Sequence, residues 1–138
     1  MKNILYIFIL LFCIACESPL IEKVETRHPD GGKDKVCYYQ EIEGKEMLVE
    51  EKHYHINGIL KMAGKVLNGK REGEWKSYFN NEQLQSTGVF QNGLRTGEAN
   101  IYFPSGQLRY SGQYEKDKEV GHWKFYNAEG KLVDEKDF

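Results

Sequence analysis

The sequence predicts an all-β fold, an elongated antiparallel meander of stacked β-hairpins, and three observations point to it. The first is a repeat: Tyr54, Tyr78, Tyr102 and Tyr126 follow one another at one constant interval, and Leu60, Leu84, Leu108 and Leu132 keep the same frame. The second is composition, since 14 Gly and 18 aromatic residues (9 Tyr, 7 Phe and 2 Trp) stand against 3 Pro in 138 residues, a bias towards turns and strands. The third is a pair of turn signals in every repeat, which divides each unit into two short stretches rich in aromatic and aliphatic residues.

The units begin at 54, 78, 102 and 126 and continue without insertion to residue 138. Gly64, Gly88 and Gly112 share one column, Gly73, Gly97 and Gly121 another, and Trp75 is matched by Trp123. Within a unit the turns fall at Asn57-Gly58, Pro104-Ser105-Gly106 and Ala128-Glu129-Gly130, with Asn81-Glu82 lacking the glycine. Asn57-Gly58 reads as a type I′ hairpin turn, in which both central residues need positive φ. Asn68-Gly69 and Asn92-Gly93 then join one hairpin to the next. The register does not follow from this pattern. Trp75 and Tyr78 are three apart and would face opposite ways in a regular strand, so either a bulge intervenes or aromatics pack on both faces.

Upstream, VCYYQEI (Val36 to Ile42) and EMLVEEKHY (Glu46 to Tyr54) are two further strand-like stretches out of phase with the repeat, so 36–53 is expected to cap the repeat stack. Residues 17–35 are polar, contain Pro19, Pro29 and Asp30-Gly31-Gly32, and have no period, so 16–35 is expected to be a tether. At the far end the fourth unit is expected to stop after Leu132 and Val133, with an acidic run from Asp134 to Asp137 blunting an edge strand.

Residues 1–15 read as a secretory signal peptide: Lys2, then an apolar run from Ile4 to Ile14, then Ala15. The run is too short for the roughly 20 residues a spanning helix needs. With Cys16 directly after Ala15, this end resembles the bacterial lipoprotein signal, which implies cleavage before Cys16 and lipidation of its sulfur; Cys13 stands where that signal usually has Leu. The implied location is the cell envelope, the outer membrane of a Gram-negative cell or otherwise the exterior of the cytoplasmic membrane. The whole chain carries 19 Lys and Arg against 21 Asp and Glu, and loss of Lys2 with the signal leaves 18 against 21, a net −3. Acyl chains, not a basic patch, would then hold the membrane. The same balance argues against nucleic acid as a partner.

The unit GQYEKDKEVGHWKFYNAEGKL resembles the bacterial variant of the MORN repeat, with Gly112, Tyr114, Gly121, Trp123, Tyr126, Gly130 and Leu132 on the family's positions and Asp117 where Gly is usual. The middle unit departs at Ala99, which replaces the Trp, and the first has Val66 in place of the aromatic. The resemblance implies a single-layered twisted sheet that serves as a scaffold or interaction module without catalysis. Some members carry an antitoxin label, so an antitoxin or immunity-like role is the alternative, and a cell-envelope hydrolase is the least favoured reading.

Few residues stand out as site candidates against that background. His53 and His55 would share a strand face, but no Cys or carboxylate at ligand spacing completes a zinc set, so no metal or cofactor is expected. Cys37 reads as a half-buried structural thiol. Glu72, Glu74, Glu98, Glu115 and Glu119 recur near the inter-hairpin turns among Lys and Arg, as on a solvated face, and no catalytic residue and no small-molecule substrate is inferred. An aromatic stripe of Trp75, Tyr78, Tyr102, Trp123 and Tyr126 is the candidate surface for an unknown protein partner.

Overall fold

The computed structural model describes residues 18–138; the signal segment and Cys16 lie outside the described residues. Those residues form one ten-stranded antiparallel sheet in strict chain order. Its strands are β1 (Ile21–Arg27), β2 (Lys33–Ile42), β3 (Lys45–Tyr54), β4 (Leu60–Leu67), β5 (Lys70–Tyr78), β6 (Leu84–Gln91), β7 (Leu94–Tyr102), β8 (Leu108–Glu115), β9 (Lys118–Tyr126) and β10 (Leu132–Asp137). Each strand packs mainly on its neighbours in sequence. At about 4.8 Å per strand the nine spacings make a ladder of roughly 43 Å. A single layer has little interior, and the buried apolar residues among those described are Val36, Cys37, Val66, Trp75, Ala99 and Trp123.

Two kinds of turn alternate along the ladder, and they exchange the roles expected from the sequence. Glu43-Gly44, Asn68-Gly69, Asn92-Gly93 and Lys116-Asp117 have positive φ at both residues, as the type I′ turn demands. Asn57-Gly58 does not: only Gly58 is left-handed, its N–H donates to the His55 carbonyl at 2.9 Å, and the His55 N–H donates to the Ile59 carbonyl at 2.8 Å. This is a three-residue loop with a bulge glycine, longer than the two-residue hairpin expected. The same bonds recur at Phe79, Phe103 and Asn127, and in the second of these four loops Glu82 holds the left-handed position with φ 67°.

Bulges resolve the register. β4 opposite β5 slips between Gly64 and Lys65, β6 opposite β7 between Gly88 and Val89, and β8 opposite β9 between Ser111 and Gln113. On its other side β5 runs regularly from Gly73 to Ser77 against β6, and the slip before Tyr78 puts its extra residue on β6, so β5 keeps its alternation and Tyr78 shares a face with Glu74 and Lys76, opposite Trp75. Aromatics are thus used on both faces, the second of the two possibilities.

The expected tether is shorter than 16–35, because Ile21–Arg27 is a strand paired with β2. Its turn, with Gly31 N–H donating to the His28 carbonyl and His28 N–H to the Gly32 carbonyl, is the same three-residue loop found in the repeats. The strand leaves no apolar period in the sequence because polar pairs hold it. Glu22 is ion-paired with Lys33, Lys23 with Glu46, and the Tyr39 hydroxyl donates to Glu25 at 2.8 Å. The capping stretches over 36–53 are β2 and β3. The C-terminal unit also runs further than Val133: β10 reaches Asp137, and Phe138 exchanges backbone hydrogen bonds with Gly121. Phe138 thereby continues the column of Val66, Phe90 and Tyr114.

Candidate functional site

The face that carries the two indoles is built on glycine. An added Cβ at Gly64 would lie 2.3 Å from Cδ2 of Trp75, and one at Gly112 would lie 2.0 Å from Cδ2 of Trp123. Each indole lies flat against the bare backbone of the neighbouring strand. Each N–H is satisfied within the chain, from Trp75 to the Lys65 carbonyl at 3.0 Å and from Trp123 to the Val120 carbonyl at 3.2 Å. Tyr114 and Phe138 pack edge-on against Trp123 with centroids 5.2 and 6.0 Å away. Trp75 is 3% exposed and Trp123 1%.

The expected stripe therefore divides. Trp75 and Trp123 are core residues, not exposed contacts, because a one-layer sheet has few other groups large enough to exclude water. Tyr78, Tyr102 and Tyr126 are half-buried and keep accessible edges. Tyr78 lies over Leu60 and the Asn57-Gly58 turn, on the face opposite Trp75.

Between the indoles the repeat is broken. Ala99 stands in the Trp column opposite Gly88, and an added Cβ at Gly88 would meet nothing nearer than Phe90 at 3.9 Å. The missing ring leaves a depression of about 240 Å³ with Gly88 and Ala99 on its floor, Trp75 and Phe90 on one side, and Tyr110 and Tyr114 on the other. Two arginines, one repeat apart, flank it. The Arg71 guanidinium lies 4.3 Å from the Trp75 ring and 5.4 Å from Phe90, and that of Arg95 lies 4.2 Å from Tyr114. Arg95 is ion-paired with Asp117, and its backbone and side-chain N–H groups hold the Asp117 carboxyl below the usual range. Burial pushes the Tyr114 hydroxyl up. In the sequence Ala99 is visible only as a departure from the repeat, and the Arg71 and Arg95 column, although in the same frame, is not distinguished there from the other surface charges.

The other expected site residues are held apart. His53 faces Glu51 at 3.4 Å, while His55 Nε2 donates to the Tyr78 carbonyl at 2.9 Å, so the two imidazoles serve different strands. Cys37 is 1% exposed and burial raises its thiol pKa, which leaves it a structural thiol. Among the carboxylates, Glu74 pairs with Lys76, Glu72 accepts the Asn92 N–H at 2.8 Å, and Glu98 accepts from Asn100 at 2.7 Å.

Residues 71–92, 95–116 and 119–138 match the MORN repeat variant. Three consecutive stretches of the chain, a little under half of it, are thus similar to that repeat. Their frame opens at Arg71, Arg95 and Glu119, so each match begins on the second strand of a type I′ hairpin, and the first two end at the next such turn. A comparison with curated proteins returns no match. MORN-type repeats are in general modules that contact proteins or membranes, and the family is not known as one of enzymes.

Proposed function

We propose that the chain is a non-catalytic interaction module anchored in the bacterial cell envelope by lipid on Cys16. The observation that carries the reading is the repeat sheet itself, a ladder whose two long faces are covered by no second layer among the described residues. Such a ladder presents recurring groups at a fixed spacing, which suits multivalent contact with a partner protein. The lipobox-like end at Ala15-Cys16 supports the anchor, and the net −3 of the processed chain leaves acyl chains as the membrane grip.

Fractionation of cells that express the parent and Cys16→Ser tests the anchor. The parent is expected in the membrane fraction carrying incorporated palmitate label, and the variant is expected to be uncut by the lipoprotein peptidase and to carry no label. Label on the variant equal to the parent's, or none on the parent, would refute lipid anchoring.

A further inference from the structure

We propose that the gap over Ala99 is a docking site for an aromatic side chain of a partner polypeptide that has a carboxylate beside it. The inference rests on the reading of the sheet as an interaction module and names what one of its faces takes. Four observations carry it.

In the flanking repeats the corresponding place holds an indole, over Gly64 and over Gly112, whereas Gly88 and Ala99 leave it open. The depression measures about 240 Å³, and an apolar cavity of about 150 Å³ already accepts benzene. The two native indoles donate to different carbonyls, Trp75 to Lys65 and Trp123 to Val120, and the equivalent positions beside the gap are Val89 and Thr96, which pair across the register slip. Finally, the charges select. Arg95 is engaged by Asp117, but Arg71 has no carboxylate within ion-pairing distance among the described residues, while Glu74 and Glu98 line the opposite face. An aromatic ring in the gap would complete the stack, and a neighbouring carboxylate would meet the Arg71 fork. A basic neighbour would be disfavoured there.

The test uses the full chain in lipid nanodiscs and, as probe, an acetylated aspartyl-tryptophan amide with fluorine on the indole, followed by fluorine NMR. Saturable binding is expected, with a dissociation constant on the order of 1 mM, in keeping with so small a ligand. Ala99→Trp refills the gap and should abolish the saturable shift. Arg71→Gln should weaken binding about tenfold, roughly the worth of one charge-assisted hydrogen bond, and the lysyl-tryptophan analogue should suffer a like loss. Undiminished binding to Ala99→Trp, or equal affinity for the aspartyl and lysyl probes, would overturn the proposal. Absence of saturable binding to the parent would overturn it too. If Ala99→Trp does not fold, as judged by its circular dichroism, Arg71→Gln and the two probes decide. Failure here leaves the anchored-module reading standing, since that falls only with the fractionation and the capture of a partner in cells.

Discussion

Gly64 and Gly112 owe their identity to the ring laid across them, and the consequence is measurable. Replacing either with Ala would drive a methyl into an indole, and overpacking of this kind costs about 1–3 kcal/mol. Gly88→Ala has open space above it and should leave stability unchanged or raise it by up to about 1 kcal/mol through the stiffer unfolded chain. Urea titrations of the three variants check the contrast; equal losses would contradict it. At the turns, Glu82→Gly should stabilise by about 1 kcal/mol, since Glu82 alone among the four equivalent loops holds a left-handed conformation without glycine. The columns of glycine were legible in the sequence. Their cause was not, because the pairing of Gly64 with Trp75 depends on a bulge, and a one-residue slip in register exchanges the faces.

At the scale of the element, the C-terminal hairpin is tied by charge. His122, on β9, places Nδ1 2.8 Å from Asp137 and Nε2 3.0 Å from Glu135, both on β10, and the bonds to Glu135 and Asp137 raise the imidazole pKa above 6.5. A raised pKa means that the stabilisation is fully present below about pH 6.5 and fades as pH rises through the folded-state value. Hydrogen exchange of the β10 amides should therefore speed up across that window by more than the chemical exchange rate does, and His122→Gln should remove the excess. An unaltered profile in the variant would count against the tie. The β1–β2 hairpin is held by polar pairs in the same way. His28 and His55 open equivalent loops and donate to the carbonyls of Tyr54 and Tyr78, but the step from 28 to 55 is longer than the step from 54 to 78, so the repeat frame misses the first loop. The longer β2 and β3 account for the difference.

For the whole molecule, the ladder makes stability a sum of neighbour terms. Removing 80–103, one period taken from loop to equivalent loop, should leave a folded sheet that is shorter by two strands and melts at a lower temperature. Removing only 80–99 should abolish cooperative unfolding, since the columns no longer meet. The architecture was legible because the period set by Tyr54 and Tyr78 holds without insertion and most turns keep their glycine; the division of the aromatic stripe was not, because burial of Trp75 and Trp123 and the open space over Gly88 are properties of the assembled sheet. On the function proposed above, this sheet engages a protein partner in the envelope. Photocrosslinking in intact cells from Tyr102, on the accessible tyrosine column, tests it most directly. One discrete adduct that is lost in Cys16→Ser is expected; the same diffuse adducts from Tyr102 and from exposed Lys131, with or without Cys16, would speak against a specific partner.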